Sequence, residues 1–167
     1  MIDRNELIRT LPRLRRYARL LTGDRCRADD LVQDALERAI ERESTFHSGE
    51  NLRPWLFALM HNLFVDDTRS RGAIDWSADA DQLPEMSAPS QCDPAELGDI
   101  HTALEKLSAD QREVLLLIGV EGLSYREAAE VLGLPVGTVM SRLARAREKM
   151  QELLGDVSAA VSLGEAK

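Results

Sequence analysis

Two sets of residues in this chain have types and spacings that could do chemistry. The first is acidic: Asp29 and Asp30 with Asp34 one turn further on, and the adjacent pair Asp66 and Asp67. Paired carboxylates can hold a metal or share a proton. Asp30 and Asp34 share a helix face, but helical carboxylate sites add a Glu-x-x-His or an equivalent ligand set, and none of His47, His61 and His101 stands at such a spacing. A Gly-rich phosphate loop and a nucleophile constellation are also missing from the sequence. No catalytic residue, no metal, no cofactor and no small-molecule substrate is therefore expected.

The second set is basic and lies late in the chain: Arg126, Arg142, Arg145, Arg147 and Lys149. Its surroundings, residues 124–154, read as two helices around a tight turn. Ser124 can cap the first helix while Glu127 reaches back to the amide of Ser124, which signals the start twice. Gly133 can take the left-handed conformation that ends a helix, and Pro135 lacks the amide a continuing helix needs. Beyond the turn, Val139, Leu143, Ala146, Met150 and Leu153 recur at helical spacing and form one stripe facing a core. The remaining faces show Gly137, Thr138, Ser141, Arg142, Arg145 and Lys149, with Arg147 toward the flank. This is a helix-turn-helix pattern. In that docking mode the second helix enters the major groove, where Arg bonds guanine through two parallel hydrogen bonds and Ser or Thr reaches bases or phosphates. A solvated cationic face is the plain alternative, and the doubly signalled turn favours nucleic acid over it.

The formal charge of −8 looks wrong for such a role until its distribution is counted. Residues 1–72 carry 13 Lys and Arg against 12 Asp and Glu, residues 73–100 carry none against 7, and residues 101–167 carry 8 against 10. The acid sits mostly in the middle. That middle stretch holds Pro84, Pro89 and Pro94 with no helical period, and reads as a linker between two domains. Its acid either keeps the chain soluble or lies in a basic groove of a partner. With aromatics at only 4%, the cores must be aliphatic, and helices are favoured. No long apolar run could span a bilayer and the first residues carry no signal-peptide pattern, so membrane insertion is not expected and a cytoplasmic location is. Cys26 and Cys92, in different segments, support neither a disulfide framework nor a zinc site.

The first domain reads as three helices. Residues 4–21 place Leu7, Leu11, Leu14, Ala18 and Leu21 on one face, and Gly23 is the expected C-terminal cap. Residues 27–43 form an acidic amphipathic helix with Leu31, Val32, Ala35, Ala39 and Ile40 on its apolar side and Asp29, Asp30, Gln33, Asp34, Glu37, Arg38 and Glu41 exposed. A loop runs from Glu43 to Pro54. Pro54 then opens a third helix on which Trp55, Leu59 and Leu63 share a face.

Taken in order, several stretches resemble the extracytoplasmic-function (group 4) sigma factors of bacterial RNA polymerase. They are Asp29-Asp-Leu-Val-Gln-Asp-Ala-Leu-Glu-Arg-Ala39, Phe46 with Gly49, Leu52-Arg-Pro-Trp-Leu-Phe-Ala-Leu-Met-His-Asn-Leu63, the acidic linker, and Leu107-Ser-Ala-Asp-Gln-Arg-Glu-Val-Leu-Leu-Leu117 ahead of the helix-turn-helix. The resemblance covers roughly residues 4–154. Leu14-Arg-Arg-Tyr-Ala-Arg-Leu-Leu-Thr-Gly-Asp24 and Asn51-Leu-Arg-Pro-Trp-Leu56 are similar to the general-stress subgroup, which is held by a small anti-sigma protein.

The resemblance implies an all-α protein of two small helical domains joined by an acidic linker. Residues 1–72 would be sigma region 2, 73–100 the linker, 101–156 the region 4 helix-turn-helix and 157–167 a tail. It implies three partners: core RNA polymerase, promoter DNA and an anti-sigma factor. By position it puts Asp30, Leu31, Gln33, Asp34 and Glu37 against the polymerase. Capture of a flipped base and of the unpaired −10 strand falls to Phe46, His47, Ser48, Gly49, Asn51 and Asn62, followed by Arg69 and Arg71. Reading of the −35 element falls to Arg126, Val136, Gly137, Thr138, Ser141, Arg142, Arg145 and Arg147. A flipped base needs a stacking wall and a few polar groups to read its edge; for Phe46, plugging the domain core is the competing expectation.

Two departures from the family pattern stand out. Asp66 and Asp67 precede only Arg69 and Arg71 where the family has a dense Arg cluster, and Met140 stands where Lys is common. Both losses point to a second expectation, a sigma-like decoy that sequesters an anti-sigma factor without opening promoters.

Overall fold

The computed structural model describes residues 2–47, 49–77 and 98–164, with side chains over 2–47, 49–71 and 98–155. The chain divides into two compact units between Cys92 and Asp93. Among the described residues every regular element is helical, as expected. The first unit holds α1 (Arg4–Thr22), α2 (Arg25–Glu41) and α3 (Leu52–Ser77); the second holds α4 (Gly98–Glu105), α5 (Ala109–Leu115), α6 (Tyr125–Leu132) and α7 (Val136–Gly164).

In the first unit Gly23 is the cap the sequence predicts, and two Asp residues add N-terminal caps. Asp3 accepts a hydrogen bond from the Asn5 amide to start α1, and Gly23, at φ 69°, ends it with its own amide donating to the Arg19 carbonyl. Asp24 immediately caps α2 by accepting from the Arg27 amide at 3.0 Å. Leu14, Tyr17, Ala18 and Leu21 of α1 are fully buried, and the Tyr17 ring meets Phe57 of α3 edge-on with centroids 5.0 Å apart. Each large side chain buried in this way contributes roughly 1.5–3 kcal/mol.

Helix α2 buries Ala28, Leu31, Val32, Ala35 and Ala39, so its core face is built largely of small residues. Ile40, expected on the same stripe, is 67% exposed. Successive helical residues lie about 100° apart, so Ile40 points well away from a face centred on Ala35 and Ala39. The helix also stops at Glu41, short of 43, because a 3-10 turn takes over from Glu43 to Thr45.

Helix α3 starts two residues before Pro54, which falls in the first turn where its missing amide is not needed. Its buried face is Leu52, Leu56, Met60 and Phe64, with Phe57 and Leu59 beside it, whereas Trp55 and Leu63 are half-buried flanks. The stretch 55–60 is apolar at every position, so its periodicity carries no phase. The helix continues to Ser77 and α4 begins at Gly98, so helical structure overlaps both ends of the expected linker 73–100. Residues 78–97 of that linker, including Cys92, lie outside the described residues.

The second unit opens with the short α4, whose C-terminal carbonyls are covered by Arg112. Its guanidinium donates to the carbonyls of Leu104 at 2.8 Å, Glu105 at 3.2 Å and Leu107 at 3.3 Å. Burial pushes the Arg112 pKa down, against the raising charge of Glu105. A Ser108–Gln111 capping box starts α5. That helix runs into a wider π turn over Leu116–Val120, closed by the Glu121 amide on the Leu116 carbonyl at 2.9 Å. Gly122, at φ 69°, then brings the buried Leu123 round to the start of α6.

Candidate nucleic-acid interface

The helix-turn-helix forms as the sequence predicts. The Ser124 amide donates to the Glu127 carboxylate at 2.8 Å and the Glu127 amide donates to the Ser124 hydroxyl at 3.2 Å. Gly133 takes φ 63° at the end of α6, and the Leu134 amide folds back onto the Ala129 carbonyl at 3.0 Å. Pro135 supplies the carbonyl that opens α7, accepting from Val139 at 3.1 Å. Val139, Leu143 and Ala146 are buried and anchor α7, while Met150 and Leu153 are only half-buried.

With that face inward, Val136, Gly137, Met140, Ser141, Ala144, Arg145 and Arg147 are exposed. A Cβ added at Gly137 would meet nothing within 4 Å, so the backbone there is open to a close approach. The Ser141 hydroxyl donates to the Thr138 carbonyl at 3.0 Å. What Ser141 offers outward is therefore acceptor capacity, which suits an adenine or cytosine amino group.

Arg142, one of the expected base readers, is instead paired across the unit. Its guanidinium lies 3.3 Å from the Asp110 carboxylate of α5, with 32% of its side chain exposed. Arg126 on α6 and Arg145 and Arg147 on α7 have no ion-pair partner among the described residues.

In the first unit the acidic face of α2 stands clear of the core. Asp30, Gln33, Asp34 and Glu37 are exposed on one ridge, with Gln33 donating to Glu37 at 3.0 Å. Leu31, placed with them by position, is 8% exposed and belongs to the core. It contributes to the wall of a cleft of about 190 Å³ that Asp30 and Asp34 flank from α2 and Leu63, Asp67 and Arg71 from α3.

Asp67 ties that cleft together. It accepts from Arg27 at 3.1 Å and from Arg71 at 3.1 Å. Partial burial alone would raise its pKa, but hydrogen bonds and charge from Arg71 and Arg27 outweigh that and hold the carboxyl below the ordinary 3.8. Of the two cations expected on the DNA strand, Arg71 is thus engaged by its own helix. Arg69 is exposed.

The loop residues separate by role. Phe46 is half-buried, with its ring 5.2 Å from that of Trp55, so one side packs and the rest remains open. Gly49 takes φ 108°, a backbone that L side chains rarely adopt. His47 is exposed, its ring 3.5 Å from Glu50. Asn51 accepts from the Arg53 amide at 3.2 Å and so helps start α3, while Asn62 is exposed on that helix. Ser48 lies outside the described residues. Asp110 and Arg27, the partners that restrain Arg142 and Asp67, were not foreseen; each lies far along the chain from the group it holds, and no local pattern announces either.

The sigma2 domain of PhyR matches residues 7–61, and sigma-70 region 4 matches residues 97–150. The chain is 42% identical over 152 residues to the ECF RNA polymerase sigma factor EcfG of Rhodopseudomonas palustris, covering 90% of this chain and 84% of that protein. The chain belongs to the ECF sigma factors. Among solved structures, this sigma factor is similar to RpoE of Bartonella quintana, crystallised with the anti-sigma factor NepR, at 41% identity and a TM-score of 0.79 over 90% of this chain and 95% of that one. The anti-anti-sigma factor PhyR of the same organism, also complexed with NepR, shares the fold at 23% identity and a TM-score of 0.54, over 86% of this chain and 46% of that one. No helix among the described residues of the sigma factor is long and apolar enough to cross a membrane, and no group of His, Cys, Asp and Glu there could hold a metal ion.

Proposed function

We propose that this sigma factor binds core RNA polymerase and directs it to specific promoters. The observation that carries the reading is the match to EcfG along 90% of the chain, because both halves needed for the task lie within it. The exposed acidic ridge of Asp30, Gln33, Asp34 and Glu37 is the polymerase-binding surface, suited to a basic partner. Phe46, backed by Trp55, is the wall against which a flipped −10 base stacks, and His47, Gly49, Asn51 and Asn62 surround the strand. Arg69 follows the phosphates beyond, with Arg71 contributing once it leaves Asp67. In the second unit α7 enters the major groove of the −35 element. Val136, Gly137 and Ser141 lie against base edges, Arg126, Thr138, Arg145 and Arg147 reach bases or phosphates, and Arg142, held by Asp110, contributes least of the α7 arginines. An anti-sigma factor is a further partner, supported by the RpoE relative solved with NepR.

Run-off transcription with core enzyme over a broad promoter library tests this reading, with permanganate reactivity of thymines reporting strand opening. A transcript that depends on the chain is expected. The decoy reading is favoured by one observation, that the first unit matches the sigma2 domain of PhyR. A decoy would open no promoter in that assay even with every inhibitory partner removed, and that result would replace the proposal with it.

A further inference from the structure

Large exposed apolar side chains are scarce among the described residues, and two of them stand together at the start of α7: Val136 at 40% and Met140 at 50% exposure. They lie four residues apart, so they adjoin along one edge of the helix, with Ala144 next in the row and Gly137 and Ser141 alongside. None of these five residues carries a charge, and Arg142, the one cation within this span, is turned toward Asp110. The first cations on the exposed side are Arg145 and Arg147, a turn further on.

A surface made to hold phosphates would place its cations here. A neutral, shallow strip at the N-terminal end of a groove-entering helix is suited to base edges, and the only apolar group that B-DNA displays in its major groove is the C5 methyl of thymine. The open space above Gly137 lets the helix axis approach closely enough for the two side chains to reach it. We propose that Val136 and Met140 determine promoter specificity by packing against thymine methyl groups in the upstream element. The strip reads methyl groups, and the later Arg residues supply charge.

This inference rests on the reading that α7 enters the major groove, and the experiment separates the two. Holoenzyme assembled from core polymerase and the full chain is bound to a promoter selected from a random pool, with each thymine of the upstream element replaced in turn by deoxyuridine. Deoxyuridine lacks only the methyl group. At least one replacement is expected to weaken wild-type binding about fourfold, the share of one buried methyl. That same replacement should have no effect in Met140→Ala or in Val136→Ala, while Met140→Leu should keep the sensitivity. Both side chains are exposed, so the fold is not at stake. If no replacement changes wild-type affinity while Arg145→Ala still weakens binding, the helix is in the groove but does not read methyl groups, and the inference is overturned. If no α7 substitution, Arg145→Ala included, alters binding to the upstream element, the groove reading itself falls and takes the inference with it.

Discussion

The guanidinium of Arg142 lies 3.3 Å from the carboxylate of Asp110, which holds the first cation of α7 against α5 instead of leaving it free for DNA. An exposed pair of this kind contributes about 0–1 kcal/mol to stability. Asp110→Asn should therefore leave the melting temperature of the protein nearly unchanged. It should also raise the salt slope of duplex binding by about one, because a released Arg142 can meet a phosphate. Arg142→Ala should cost less binding than Arg145→Ala, for which a loss of about 1–3 kcal/mol is expected if that residue reads a base. Equal losses from the two substitutions would show that the pairing with Asp110 does not persist on DNA.

The clasp of Asp67 by Arg27 and Arg71 makes a pH-dependent prediction. Its carboxyl is held below 3.8, so the native state favours the ionised form more than the unfolded chain does. The resulting stability is fully present above 3.8 and is lost as pH falls through the lowered native value. With side chains 34% and 44% exposed in the Arg27–Asp67 pair, solvent screening keeps the effect to about 1 kcal/mol or less. Wild type should unfold at higher urea than Asp67→Asn at neutral pH, and the two midpoints should converge in strong acid. A gap that widens in acid would contradict the sign.

Two surfaces of the first unit should separate by mutation. The double change Asp30→Ala with Asp34→Ala should abolish association with core enzyme, measured by co-purification or fluorescence anisotropy. Phe46→Ala and Asn62→Ala should leave that association intact and impair promoter opening, each by about 1–3 kcal/mol if it removes base stacking or an edge contact. Loss of core binding from Phe46→Ala would place that ring in the fold of the unit and not in base capture.

Gly133 sits at φ 63° where α6 ends, a conformation that costs an L residue about 1–2 kcal/mol. A Cβ there meets nothing, so Gly133→Ala adds backbone strain and no clash, and the strain outweighs the entropy that the substitution removes from the unfolded chain. Thermal unfolding of the second unit should shift down accordingly, and Gly133→Asn should recover part of the loss.

What was legible in the sequence was local. Gly23, Ser124 with Glu127, and Gly133 each announce a helix end within a few residues, and the structure uses all of them. The acidic ridge of α2 was also plain, because polar and apolar positions alternate there at helical spacing. Phase was lost wherever one residue class ran on unbroken, as in 55–60 of α3, and Ile40 was misplaced because an apolar residue near a helix end need not face the core. Partners across the fold were invisible for a different reason. Arg27 meets Asp67 and Arg142 meets Asp110 only after the helices pack, and nothing in either neighbourhood distinguishes these Arg residues from the free ones. As a result the residue types of the candidate site could be read, but not which of its cations are already occupied.

Arg112 has a consequence for motion. An eight-residue helix such as α4 is too short to persist alone, since nucleation outweighs the few hydrogen bonds it closes. By placing its guanidinium on the last carbonyls of α4, Arg112 ties that helix to α5, so the two should open together instead of one fraying from the other. The amide hydrogens at the C-terminal end of α4 should then exchange with solvent at the pace of α5, giving the start of the second unit a protection that its own length would not confer.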